Sequence, residues 1–236
     1  VRVRRVITTR DGGVSSAPYD SFNLGDHVGD DPASVEANRR RLAAELPATP
    51  NGLAWMEQVH GRSTAIVDGA TPAPVEATDA LVTTRPGLAL VALVADCVPV
   101  LLADPVAGVV SAVHAGRVGS RVGVVTAALR AMTEVGASVD RVEALLGPSI
   151  CGKCYEVPAA MRADVEAHLP GSASRTRQGR PGLDLRAGLR RQLTDAGIAR
   201  LGVDPRCTVE SPELFSHRRE STTGRFGAAI WLEPAS

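Results

Sequence analysis

Apolar and polar positions change rhythm several times along the chain, and each rhythm predicts an element. Residues 2–9 alternate, as a half-buried strand does. After a loop rich in Gly, Ser and Asp, Asp31-Pro32 opens a helix to about Leu46, with Asp as N-cap, Pro in the first turn and Val35, Leu42 and Leu46 on one face. Pro47 and Pro50 are expected to close it. Short apolar runs at 53–56, 64–67, 80–83, 88–95, 98–102 and 108–113, separated by Gly, Pro and Asp, read as strands. The run from Leu88 to Val94 is apolar on both faces, which predicts a central strand covered on both sides. A helix over 121–135, a strand at 142–146, helices over 158–169 and 184–196 and a strand at 226–232 follow, with 171–182 a surface loop. No internal repeat interrupts the series. The expected fold is α/β, a single-domain (1–236) layered α/β/α sandwich around a mixed sheet.

Composition adds exclusions. The formal net charge is zero, so no global field draws in nucleic acid or an anionic membrane. Lys153 is the only lysine among 26 basic residues, and the arginines are scattered among an equal number of acids. The first residues form no secretory signal and no apolar stretch is long enough to span a bilayer, so a cytoplasmic, reducing setting is expected. Four cysteines there are thiols or metal ligands. A monomer or homodimer is expected.

The candidate chemistry lies in Gln58-Val59-His60-Gly61, Ala95-Asp96-Cys97-Val98-Pro99 and Val113-His114-Ala115-Gly116. Two imidazoles and a thiolate can hold one zinc ion and leave a fourth position open, a catalytic arrangement. If the strands before Cys97 and His114 run in parallel, both side chains emerge at one sheet edge. The spacing fits no compact zinc motif. A lone Cys beside apolar strands is usually a small buried hydrophobe, and a lone His is usually hydrogen-bonded or on the surface.

Further motifs occur in order: Asn23-Leu24-Gly25, Asn38-Arg39, Thr78-Asp79-Ala80-Leu81-Val82, Gly147-Pro148-Ser149-Ile150, Cys154-Tyr155-Glu156-Val157, Ser216-His217-Arg218-Arg219 and Thr223-Gly224-Arg225. With the three above, they resemble the laccase-domain family, also called polyphenol oxidase-like proteins or the peptidoglycan-editing factor. The resemblance covers almost the whole chain. It implies a zinc-dependent purine nucleoside phosphorylase using adenosine, inosine or methylthioadenosine with phosphate, and adenosine deaminase activity. The family's ligands fall on His60, Cys97 and His114, which the resemblance makes both metal ligands and catalytic residues. Where the family commonly has His-Ala-Gly-Trp-Arg-Gly, this chain has His114-Ala115-Gly116-Arg117-Val118-Gly119, so contacts made by the Trp and Arg do not carry over.

Deamination also needs a carboxylate for proton transfer. Asp96 is the preferred candidate and Glu57 and Asp79 are alternatives. Phosphorolysis needs cations on phosphate, for which Arg218 and Arg219 with His217 are preferred and Arg39 is second. Asn23 and Gln58 complete the expected substrate contacts. Cys151-Gly152-Lys153-Cys154 is read as a structural loop ahead of a metal or redox pair. Copper is the less favoured metal, because five histidines leave too few for a multinuclear cluster beyond a blue-copper centre. A cysteine amidase with Cys97 as nucleophile uses the same residues, and a non-catalytic binding domain is the third alternative.

Overall fold

Strands that are apolar on both faces need cover twice, and this chain meets the need by stacking two sheets between helices. The computed structural model describes residues 1–46, 49, 52–71 and 73–234. In chain order the elements begin β1 (Val3–Ile7), α1 (Pro32–Glu45), β2 (Leu53–Ala54), β3 (Thr64–Ile66), β4 (Ala80–Thr83), β5 (Ala89–Val94), β6 (Val98–Asp104) and β7 (Val109–Ala115). They continue α2 (Arg117–Val122), α3 (Val124–Glu134), β8 (Glu143–Leu146), α4 (Ala159–His168), β9 (Ala173–Arg175) and β10 (Pro181–Leu183). The last are α5 (Leu185–Asp195), β11 (Arg200–Val203), α6 (His217–Glu220) and β12 (Phe226–Leu232).

One sheet has four strands in the order β1-β12-β5-β2, the other six in the order β11-β8-β6-β7-β4-β3, and both mix parallel and antiparallel pairs. Leu90, Ala92, Ala228 and Ile230 of the first sheet meet Leu81, Leu101, Ala103, Val110 and Ala112 of the second in a shared core. The alternate side chains of β5, Ala89, Val91 and Leu93, face Leu42 and Leu46 of the α1 region. On the far side Val100, Leu102 and Val113 pack with Val125, Leu129 and Met132 of α3, Val165 of α4 and Leu189 of α5.

The mixed α/β class and the helices on both outer faces agree with the sequence reading. Its single sheet is corrected to two stacked sheets, with β9 and β10 forming a separate two-stranded pair, because β5, β6 and β7 each bury two apolar faces, and one of those faces meets another sheet.

Most elements fall where periodicity places them. The Asp31 carboxylate accepts from Ser34 N at 3.0 Å, a cap contributing about 1 kcal/mol. The expected closure of α1 by Pro47 and Pro50 lies outside the described residues. The helix expected over 121–135 is two, α2 and α3, divided at Gly123 with φ +85°. The expected loop at 171–182 contains the β9–β10 hairpin, anchored where the Glu166 carboxylate accepts from Gly171 N and Ala173 N. Backbone pairing with little apolar burial leaves no periodicity to read. The same holds for the mostly exposed edge strand β11. Among the described residues no helix is long and apolar enough to cross a membrane.

Candidate metal centre and its pocket

The chain crosses from one sheet to the other at Asp96-Cys97, between β5 and β6. Strands β6 and β7 are antiparallel, with Pro99 opposite His114 and Val98 opposite Ala115. The strand before Cys97, β5, lies in a different sheet from β7, so the parallel pairing raised as a condition from sequence does not arise; instead the start of β6 lies beside the end of β7, which brings Cys97 to His114. Asp79 lies just before β4, whose Ala80 pairs with Val113, and Asp79 O accepts from His114 N at 2.8 Å. His60 sits in the loop after β2 with φ +59°.

One potential ligand atom from each of His60, Cys97 and His114 lies within 4.8 Å of the others. Cys97 Sγ is 3.7 Å from His60 Nε2, and the imidazole centroids are 4.7 Å apart, nearly perpendicular. A Cβ on Gly116 would fall 2.6 Å from His60 Cδ2 and 3.1 Å from Cys97 Sγ, so the His-Ala-Gly turn needs its glycine. The donors fit a metal ion. His114 Nδ1 donates to the fully buried Asp79 carboxylate at 2.8 Å, which leaves Nε2 for a ligand. The same carboxylate accepts from His60 N at 3.0 Å and Gly61 N at 2.6 Å, holding the left-handed turn at His60. Burial opposes ionisation of Cys97, but the charge of His114 and hydrogen bonds from both imidazoles hold its thiol at about 6. Burial also opposes protonation of His114, but Cys97 and Asp79 raise it to about 9.

The triad opens into a cavity of about 360 Å³, within the range of about 300–1,000 Å³ usual for small-molecule sites. Of the residues expected at the substrate, Gln58, His217 and Arg218 line it. Gln58 is tied to β5, its amide donating to Leu93 O at 2.7 Å and accepting from Leu93 N at 2.8 Å. Arg218 lies over the Tyr155 ring at 5.1 Å and donates to Glu156 O.

Other expected contacts are structural. Arg219 donates to Thr208 O, Ser211 O and Leu214 O, bracing its own loop. Arg39 lies over Trp55 at 4.4 Å, pairs with Asp26 and donates to Leu24 O. Asn23 is buried and joins Gly25, Asp30 and Arg225 N. Asp96 borders the cavity with φ +90°, but its carboxylate accepts from Thr208 Oγ1 at 2.5 Å, Ser216 Oγ at 2.7 Å and Arg218 N at 2.6 Å. Glu57 is exposed and accepts from Ala77 N.

Arg117, Arg225, Tyr155 and His27 also line the cavity and were not expected there. Arg225 and Tyr155 stand in motifs already quoted, and Arg117 marks the departure from the family pattern. That departure is the signal that could have found it: an unmatched cation beside a ligand. Unlike Arg39 and Arg219, the guanidiniums of Arg117, Arg218 and Arg225 enter no ion pair among the described residues.

A family model described as multi-copper polyphenol oxidoreductase laccase matches residues 4–233. The chain belongs to this family. A purine nucleoside phosphorylase of Mycobacterium tuberculosis is 57% identical over 233 residues, covering 99% of this chain and 93% of the relative. One from Corynebacterium glutamicum is 56% identical, covering 98% and 94%. Among solved structures, YlmD from Geobacillus stearothermophilus superposes with a TM-score of 0.90 at 34% identity, covering 98% of this chain and 92% of that one. A Neisseria meningitidis protein gives 0.87 at 31%, covering 98% and 95%. Family membership thus agrees with the resemblance read from the motifs, and the fold agrees with solved members over nearly the whole chain.

Proposed function

We propose that this laccase-family protein is, over its whole length, a zinc-dependent purine nucleoside phosphorylase. It joins phosphate to the sugar of adenosine, inosine or methylthioadenosine, and deaminates adenosine as a second reaction. The observation that carries this reading is a metal-capable triad sharing one cavity with three arginines that enter no ion pair among the described residues. The names of relatives above 50% identity over nearly the full chain support it.

His60, Cys97 and His114 would hold the zinc, which when bound supplies Lewis-acid polarisation. Arg218, Arg117 and Arg225 hold phosphate near C1′ of the sugar, since guanidinium forks match phosphate oxygens. A phosphate oxygen bonds to C1′ as the bond from C1′ to the purine nitrogen breaks, and the departing purine takes up a proton. His217 is the proposed donor. Tyr155, whose hydroxyl burial keeps protonated, orients the substrate.

Phosphorolysis is the main reaction in this reading because Asp96, the only carboxylate among the described lining residues, already accepts three hydrogen bonds. Deamination must then move its protons through His217 instead. Zinc is preferred to copper because a multinuclear cluster needs more imidazoles than five histidines provide.

The contact of 3.7 Å between Cys97 and His60 also suits a cysteine nucleophile, so amide hydrolysis is the second reading. Zinc that is lost on His60→Ala/His114→Ala substitution, with no trapped Cys97 adduct in the wild type, separates the two. The deciding assay incubates purified protein with adenosine with and without phosphate. Adenine and ribose 1-phosphate appearing only with phosphate are expected, inosine in either case reports deamination, and no product at all overturns the proposal.

A further inference from the structure

We propose that Cys151, Cys154, Cys207 and Glu210 form a second metal site, a closed structural zinc site outside the pocket. The argument is independent of the phosphorolysis reading. One ligand atom from each of the four residues lies within 4.8 Å of the others. They come from two segments 56 residues apart, each a tight turn in which residue i+3 donates to residue i: Cys154 N to Cys151 O, and Glu210 N to Cys207 O, both at 3.0 Å. A Cys-x-x-Cys turn thus faces a Cys-x-x-Glu turn. Cys154 Sγ reaches Glu210 Oε1 at 3.4 Å, and Cys207 Sγ accepts from Cys151 N at 3.3 Å.

Tetrahedral zinc with bonds of about 2.3 Å to sulfur sets ligand sulfurs about 3.8 Å apart, so closure needs shifts of about 1 Å or less. Four protein donors leave no open corner, the structural arrangement, whereas the central triad leaves one. Three thiolates and a carboxylate around a dication leave excess negative charge. Lys153 lies inside one turn, and Arg177 pairs with Glu210 and donates its N–H to Lys153 O. Sequence alone showed only Cys151 and Cys154 and preferred a structural loop. The partners are contributed by a distant segment, through a parallel bridge between Ser149 and Cys207.

The site would clamp the wall of the pocket. Ile150 N donates to Asp96 O at 3.0 Å, Thr208 Oγ1 donates to the Asp96 carboxylate, and Tyr155 follows directly on Cys154. Binding energy at the four donors would therefore hold the loops on which Asp96 and Arg218 depend.

The test is the zinc content of the full chain after loading with zinc and removal of excess. A His60→Ala/His114→Ala variant, which disables the central triad, is expected to retain one zinc per chain. Adding Cys154→Ser and Cys207→Ser should remove that zinc. A His60→Ala/His114→Ala protein with no zinc, or one whose zinc survives the cysteine changes, overturns the proposal. So does a disulfide among Cys151, Cys154 and Cys207 in protein carrying no zinc there. Should the cysteine variant fail to fold, cobalt loading of the His60→Ala/His114→Ala chain decides. Intense thiolate-to-cobalt absorption supports the site, and its absence rejects it. Neither readout uses turnover, so failure of the phosphorylase reading leaves this result intact.

Discussion

Asp79 organises two of the three side chains of the candidate metal centre from behind them. Its two oxygens accept from the His114 ring, from His60 N and from Gly61 N, so it sets the tautomer of one ligand and the backbone of the other. An Asp79→Asn amide keeps the shape but replaces an acceptor with a donor, facing groups that already donate. Zinc affinity is expected to fall about 10- to 100-fold, read by competition with a chromophoric chelator on protein that still melts cooperatively. Unchanged affinity would remove Asp79 from the support of the site. The sequence marks Asp79 as one carboxylate in a motif, but the number of N–H groups it meets depends on His60 and His114, distant in the chain. Asp96 makes the same point: it stands beside Cys97 in sequence, yet Thr208, Ser216 and Arg218 decide what its carboxylate does.

At the scale of elements, the β6–β7 hairpin carries both Cys97 and His114, and its far end is tied by Asp104. This fully buried carboxylate accepts from Val106 N and Ala107 N at 3.0 Å, Ser138 N at 2.9 Å and Arg141. Burial resists its ionisation, but these bonds outweigh it and hold the carboxyl at about 2. A carboxyl lowered in the folded state adds stability above its unfolded value near 4 and loses it as pH falls toward 2. The size is about 2 kcal/mol. Urea midpoints are expected to drop between pH 5 and pH 3 in the wild type, with a smaller drop in Asp104→Asn. Equal drops would show that Asp104 does not carry this dependence. Element positions were largely legible because β4 to β7 and α1 bury regular faces. The β9–β10 hairpin and β11 were not, since their pairing leaves few apolar residues at regular spacing.

At the scale of the molecule, the pocket exists because strand ends of two stacked sheets open at one end of the sandwich. There β5, β6, β7 and β12 begin or finish, and α6 supplies adjacent arginines, Arg218 lining the cavity and Arg219 bracing its own loop. Arg218→Ala is expected to raise the apparent KM for phosphate about tenfold or more with little change in that for nucleoside, and with an unchanged melting temperature. Arg219→Ala, which leaves the carbonyls of Thr208, Ser211 and Leu214 without their donor, should cost about 2–3 kcal/mol of stability. Steady-state kinetics in phosphate together with thermal melts check the pair. A phosphate dependence lost in Arg219→Ala but kept in Arg218→Ala would reverse the assignment. Both residues lie in one Ser-His-Arg-Arg motif, and only the packed loop separates the anchor from the residue that faces the cavity.

By itself the sequence determined the α/β class, most strand and helix positions and the family, and through the family resemblance pointed to His60, Cys97 and His114, because periodicity and motifs are local properties. The tertiary structure decided that two sheets share the core, that antiparallel pairing joins Cys97 to His114, that Arg117 and Arg225 face the cavity, and that Cys207 and Glu210 meet Cys151 and Cys154. Each of these depends on register and packing between distant segments, whose energies come from surfaces that meet only after the chain has folded.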